Sequence, residues 1–172
     1  ASNLEIIVLP ADYLLIFILF IYVITVASAI ILKSIQSDFA RFGLIQTLLD
    51  TVFVTVLVYY TGASHSGFTT MYFFPIVSGG LILPRIGGFS AAAAATIQYS
   101  FILLLEYFNI FPSNLTKYSY LFVHNLTITF NHISIKGISF FLAALLSALF
   151  SKRLIKTEHA LTVTQQSYEK LN

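Results

Sequence analysis

Five long apolar stretches constrain the fold of this chain more than any other feature of its sequence. They cover residues 13–32, 44–61, 68–83, 88–108 and 133–151. A bilayer-spanning helix needs about 20 mostly apolar residues, and four of the five stretches approach that length. Only 9% of the residues are charged and the mean hydropathy is +0.87, which excludes a water-soluble globule or a disordered chain. The sequence therefore predicts an all-α, polytopic transmembrane helix bundle.

The segment between the fourth and fifth stretches is open to two interpretations. Its first half, NIFPSNLTKYSY, contains helix breakers and predicts a loop. Its second half, LFVHNLTITFNH, is predicted as an interfacial helix or as the water-facing start of the last span. The alternative is a further span at residues 119–131 that turns around residues 131–136.

The positions of the basic residues favour five spans over six. Five alternating spans place six basic residues next to the spans on one side, with Lys170 further along the tail: Lys33, Arg41, Arg85, Lys152, Arg153 and Lys156. The other side receives Lys117 and Lys136. The positive-inside rule then predicts a cytoplasmic C-terminus and an outside N-terminus. A span at 119–131 would move the last basic cluster outside, so we reject it.

The composition changes abruptly after residue 151. We therefore predict a transmembrane bundle over residues 1–151 and a cytoplasmic linker helix over 152–172, which leads to further domains. Leu154, Leu161 and Tyr168 recur every seven residues, and Leu171 falls three residues after the last of them. This spacing predicts a short dimeric coiled coil, with a frayed tail as the alternative.

Several short motifs in the middle of the chain occur in a recognisable order. Gln46 and Asp50 open the second stretch, and the turn that follows contains Thr61, Gly62 and Ser66. The third stretch ends at Pro84, Arg85 and Gly87, and an Ala-rich helix comes next. Together with SALFSKRLIKTEHAL near the C-terminus, this resembles the membrane sensor region of PilS/NtrB-type bacterial sensor histidine kinases. The chain departs from the motif at Ala63, where the family has a second glycine, and at His65, which shifts the serine.

This resemblance implies a sensory input module. The family usually has six spans with both ends cytoplasmic, which fits five spans here if one span lies upstream. It also implies a homodimer, a kinase core that uses ATP and Mg²⁺, and a cognate response regulator. In pilus-linked members, the transmembrane helix of a pilin would be a natural ligand. The phospho-accepting and ATP-binding parts are absent from these residues, so no cofactor is expected in this segment.

Two sets of residues are candidates for a functional role. An acid inside a membrane span must face protein or water, so Asp50, with Gln46 and Thr51 beside it, is a candidate signal switch. Pro75 and Arg85 join it as a possible hinge residue and a turn residue. The second set consists of small residues whose spacing allows close helix packing. Its members are Gly79, Gly80, Gly87, Gly88, Ala91, Ala92 and Ala95. Packing within the chain and docking of another membrane helix are the two alternatives for this set.

Catalytic and metal-binding chemistry is not expected in these residues. The chain has no cysteine, P-loop, Gly-x-Ser-x-Gly motif or paired carboxylates. His65, His124 and His132 fall on the predicted outer side without a metal-ligand spacing, and Glu106 is expected to reach water there. Gln98 must find a polar partner on another span. A net charge of +2 gives no support for nucleic-acid binding. The alternative function is a small transporter component, such as a substrate-binding membrane subunit of an energy-coupling-factor transporter.

Overall fold

A computed structural model describes residues 11–34, 39–83, 86–108, 110 and 125–169, and in these ranges the regular structure is entirely helical. Two short 3₁₀-helices, Ala63–His65 and Gly67–Tyr72, follow the second α-helix. Within the described ranges, the α-helices are α1 Ala11–Ser34, α2 Phe39–Tyr60, α3 Phe73–Ile82, α4 Gly87–Tyr107 and α5 Leu126–Glu169. The predicted helical transmembrane bundle is confirmed.

Three of the described helices are long and apolar enough to cross a membrane. Their candidate spans are Ala40–Tyr60, Gly87–Tyr107 and Leu126–Thr164. Two shorter apolar segments, Leu15–Ser28 and Gly67–Ile82, accompany them. Each of the five overlaps one of the apolar stretches of the sequence.

The third apolar stretch does not form one regular α-helix. It begins as 3₁₀-helix and becomes α-helical only at Phe73. Pro75 therefore lies in the first turn of α3, where its missing N–H would have had no partner within the helix. The proline accordingly shortens the α-helical part and leaves no kink inside it. Six 3₁₀ residues and ten α-helical residues together extend about 27 Å, close to the ~30 Å of a hydrocarbon core.

The last helix is a single unit of 44 residues. It passes without interruption through residues 131–136, so the turn required by a separate span at 119–131 is not formed there. Residues 126–132 are instead the start of α5, as one of the two sequence interpretations predicts. Residues 111–124 lie outside the described part of the chain. The predicted boundary at residue 151 falls within α5, and the division into two domains stays a prediction.

Helix α4 lies at the centre of the bundle and packs against α2, α3 and α5. Aromatic side chains fill the space between these helices: the ring of Phe140 on α5 lies 5.2 Å from Tyr72 and 6.5 Å from Tyr99. Tyr72, Tyr99 and Phe140 are all fully buried. Helix α1 packs against α2, where Phe20 meets Phe53 edge to face. The core thus belongs to α2–α5, and α1 lies at the periphery.

Two pairs of glycines allow α3 and α4 to approach very closely. A Cβ atom on Gly87 would collide with the carbonyl of Gly79, and a Cβ on Gly88 would lie 3.1 Å from the Cα of Gly80. A Cβ on Gly80 would also meet Ser147 of α5. Ala91, Ala92 and Ala95 continue this surface along α4 and are fully buried. Small residues therefore bring three helix backbones together at one level of the bundle.

We expect Gly87→Ala to destabilise the protein by about 1–3 kcal/mol, because the added methyl group meets backbone atoms that cannot rotate away. The measurement is the free energy of unfolding in mixed detergent–SDS micelles, followed by loss of helical signal. Gly67→Ala is the matched control, since a Cβ atom there has nothing within 4 Å. Equal stability of the two variants would contradict the close approach of α3 and α4.

Candidate functional site

A chain of hydrogen bonds inside the bundle joins α2, α4 and the second 3₁₀-helix. The hydroxyl of Tyr72 lies 2.7 Å from the Thr55 hydroxyl, which lies 2.6 Å from Gln98 Oε1. The amide nitrogen of Gln98 donates to Thr51 at 3.2 Å, and Thr51 donates to the carbonyl of Leu48 at 2.7 Å. Gln98 thus has polar partners on another span, as the sequence requires. We call Thr51, Thr55, Tyr72 and Gln98 the polar network.

Proton counting gives the polar network a direction. Thr55 has one hydroxyl proton, and its two short partners, Gln98 Oε1 at 2.6 Å and the Thr51 carbonyl at 2.7 Å, can only accept, so the Thr55 oxygen accepts from Tyr72. Gln98 then donates to Thr51, whose own proton goes to the backbone of α2. Hydrogen bonds arranged donor to acceptor in this way polarise one another. The arrangement holds three elements in register and contains no group that is activated for catalysis.

The structure separates the predicted switch stripe into two parts. Thr51 is fully buried and belongs to the polar network. Gln46 and Asp50 form a pair within α2, in which Gln46 Nε2 donates to Asp50 Oδ1 at 3.3 Å. Asp50 is half-buried. The switch role of Gln46, Asp50, Thr51 and Pro75 stays a prediction, and Arg85 lies outside the described residues.

A shallow apolar groove runs between α2 and α4 beside the polar network. Its volume is about 480 Å³, and its walls include Leu48, Val52, Ala94 and Ile97. Gln98 lines the same groove. One side chain therefore belongs both to the bundle interior and to a lateral surface that faces the membrane.

The turn after α2 is closed by the motif residues. The Thr61 and Ser66 hydroxyls lie 2.6 Å apart, and the Ser66 hydroxyl accepts from the backbone N–H of Phe68. Gly62 has φ 113°, in the left-handed region that favours glycine. Ala63 also has a positive φ of 47°, which explains why a second glycine suits the position at which this chain departs from the family motif.

Glu106 is held by this same turn, and the expectation that it simply reaches water is wrong. The side chain is only 5% exposed. Its two carboxylate oxygens accept from the backbone N–H and the hydroxyl of Ser64, each at 3.2 Å. A buried carboxylate needs such donors. From the sequence, Glu106 looks like a residue at a helix end. Only the fold brings Ser64, 42 positions away, beside it.

A small pocket of about 260 Å³ opens next to Glu106. His65 and His132 line it, together with Thr129 and Tyr107. Among the described residues there is no group of three or more His, Cys, Asp or Glu side chains that could hold a metal ion. His124 lies outside those residues.

The predicted coiled-coil residues lie beyond the bundle. Leu154 and Leu161 are more than 60% exposed on α5. The helix includes residue 168, whereas Leu171 lies outside the described part of the chain. Gly79, Gly80, Gly87 and the alanines of α4 lie inside the bundle, as described above.

These features define a polytopic helical membrane domain with a buried polar network and one long helix that leaves the bundle. A family model described as the PilS-like transmembrane domain matches residues 2–161. The chain therefore belongs to the family of PilS-like transmembrane domains. No curated protein and no solved structure matches this chain.

The polar network predicts energetic coupling between Thr55 and Gln98. In a double-mutant cycle of Thr55→Val and Gln98→Leu, we expect a coupling energy of about 0.6–1.7 kcal/mol in the free energy of unfolding in micelles, the range of buried bonds between membrane helices. Ser100→Ala is the control partner, because its hydroxyl bonds to its own helix at Thr96. A cycle of Thr55→Val with Ser100→Ala should be additive. Coupling of equal size in both cycles would contradict the network.

The Ser64–Glu106 contact predicts a graded series of variants. Glu106→Ala leaves a backbone donor without its partner and should lower the free energy of unfolding by about 1–3 kcal/mol. Glu106→Gln keeps one accepting oxygen, so its free energy of unfolding should fall clearly less than that of Glu106→Ala. Ser64→Ala, which removes only the hydroxyl bond, should lie between wild type and Glu106→Ala. If Glu106→Ala matched wild type in the same unfolding assay, the carboxylate would not be holding the turn.

Proposed function

We propose that this chain is the transmembrane sensory module of a two-component sensor histidine kinase. In this proposal, a signal that arises in the membrane passes through the bundle and leaves it along α5 toward a cytoplasmic kinase core. The observation that carries the proposal is the continuity of α5 over 44 residues. The same helix packs against the bundle in its first part and is exposed in its last part. The family membership supports the same function.

Contacts along the bundle part of α5 provide a route for the signal. Phe140 packs on Tyr72 and Phe73, and the Ser147 hydroxyl donates to the Val77 carbonyl at 2.9 Å. A shift of α3 therefore displaces α5. The helix carries that shift outward because its backbone bonds continue from residue 151 to residue 169, over about 27 Å.

The exposed part of α5 is proposed to form the output. All side chains of residues 152–158 are exposed. Leu154, Leu161, Tyr168 and Leu171 would form the seam of a parallel homodimer, with Thr157 and Thr164 at the weaker positions between them. A weak seam suits a switch, since two packings then differ by only a few kcal/mol. The kinase core that follows in such proteins supplies ATP and Mg²⁺ chemistry and transfers phosphate to its response regulator.

The input side of the proposal rests on short connections and on the groove between α2 and α4. Residues 61–66 join α2 to the next helix, which leaves no room there for a separate sensing domain. An apolar helix of another membrane protein fits the lateral groove, and a pilin helix would be the ligand if the protein is pilus-linked. The groove borders Gln98 of the polar network, and Gln46 and Asp50 lie on α2 beside Thr51. Binding there would act on Thr51 through its hydrogen bond with Gln98.

The proposed orientation places the C-terminus in the cytoplasm and the domain in the bacterial inner membrane. Arg41 lies in the first turn of α2, and Lys152, Arg153 and Lys156 follow the apolar part of α5 in its C-terminal half. Lys136 lies toward the other end of α5. The uneven distribution of basic residues supports this orientation.

The output helix can be tested by changing its phase. A chimera of residues 1–172 with a histidine kinase core would be measured for autophosphorylation in membranes. Inserting one residue after Thr157 rotates everything downstream by ~100° and should lock the kinase on or off. Inserting seven residues restores the heptad phase and should largely restore regulation.

The matched control is a one-residue insertion at the junction after Asn172, downstream of the proposed seam, with expression and membrane insertion checked for every variant. If one- and seven-residue insertions after Thr157 behaved alike, α5 would be a passive tether and the proposed mechanism would be wrong.

A further inference from the structure

An apolar crevice with two cationic side chains lies at one end of the bundle. It has a volume of about 700 Å³ and forms where the start of α2, the residues Leu83 and Ile86, and α5 meet. Its apolar walls include Leu44, Leu83, Ile86 and Ile155. Arg41 of α2 and Lys152 of α5 line the same space. Ile86 and Ile155 are 64% and 52% exposed, so the apolar wall is open.

The level of this crevice matches a membrane–water boundary. Helix α4 has 21 residues and is therefore about 31 Å long, close to the thickness of a hydrocarbon core. The crevice includes Ile86, the residue immediately before α4. It also includes Lys152, the first charged residue after the apolar run that ends α5's membrane part. Phosphate groups of lipids lie at this depth.

The lining of the crevice selects the chemistry of its occupant. Exposed apolar walls favour a hydrocarbon chain, and the two cations favour an anion. A guanidinium and an ammonium group together suit a phosphate. A second copy of the chain would bring the same two cations to the crevice, which would oppose its binding there. One molecule that carries both a phosphate and an acyl chain can contact the two cations and the apolar side chains of the crevice at the same time.

We propose that this crevice is a binding site for an anionic phospholipid. The phosphate lies between Arg41 and Lys152, and the upper part of an acyl chain lies along Leu44, Leu83 and Ile155. The lipid bridges α2 and α5 where α5 leaves the membrane. This site is separate from the groove between α2 and α4 and does not depend on the proposed kinase function.

The test uses the absence of tryptophan from the chain. In an Ile155→Trp variant, the single indole lies in the crevice, and the full 172-residue chain is reconstituted in vesicles. Its fluorescence is titrated with brominated phosphatidylglycerol or brominated phosphatidylcholine, which quench by direct contact. We expect the anionic lipid to be preferred by on the order of thirtyfold, since each of the two basic residues favours an anionic lipid surface.

Two charge-matched pairs of substitutions separate this site from general attraction to a basic surface. Arg41→Gln with Lys152→Gln removes both cations from the crevice and should bring the lipid preference close to one. Arg153→Gln with Lys156→Gln removes the same charge from exposed positions of α5 that do not line the crevice. The variant with this control pair should keep most of its preference for the anionic lipid. Equal loss in both pairs would overturn the proposal.

The remaining outcomes distinguish the lipid from other occupants. Inorganic phosphate and glycerol phosphate carry the anionic group without acyl chains and should not relieve the quenching. If either of them did, the crevice would be a simple anion site. Equal quenching by both brominated lipids would show that the two cations do not discriminate between anionic and zwitterionic lipids. Absence of quenching by either lipid would show that protein, such as a second copy, covers the crevice. Each of these three results contradicts the proposal.

Discussion

The close approach of α3 and α4 is the constraint on which the rest of the bundle depends. Within lipid there is little hydrophobic drive between helices, so packing and hydrogen bonds must hold them together. The backbones meet at Gly79 and Gly87, and at Gly80 and Gly88. The same approach brings Ser147 of α5 within reach of the Val77 carbonyl. Larger residues at these positions would separate all three helices at once.

The interior of the bundle is specified by polar groups more than by charge. The acid in α2 looks most informative in the sequence, yet Asp50 pairs within its own helix. The side-chain contacts between α2 and α4 come from uncharged groups, through the bonds of Gln98 to Thr51 and Thr55. Uncharged groups form such bonds without the high cost of an ion in hydrocarbon. A partly exposed acid is then free to respond to its surroundings, which keeps Asp50 a reasonable candidate for a switch.

Sequence reasoning predicted the parts of the fold that depend on local pattern. The apolar stretches predicted the helices, and the spacing of Gly and Ala predicted a surface for close helix packing. Gln98 was predicted to have a polar partner on another span. Sequence reasoning missed Glu106, because its burial depends on Ser64, which is 42 positions away, and because an acid at a helix end normally reaches water. It also missed the shape of the third stretch, in which the 3₁₀ start places Pro75 in a first turn instead of a helix interior.

Helix α5 joins features that lie at opposite ends of the bundle. Near its start, His132 lines the pocket beside Glu106, and Lys152 lines the crevice at the other end. Twenty residues separate these two side chains, or about 30 Å along the axis. Between them, Phe140 and Ser147 fix α5 against α3. A rigid helix held at several levels cannot tilt at one end without moving at the other. Under the proposed function, a ligand that favours one position of α5 would therefore bias the exposed helix beyond residue 151, whichever end it binds.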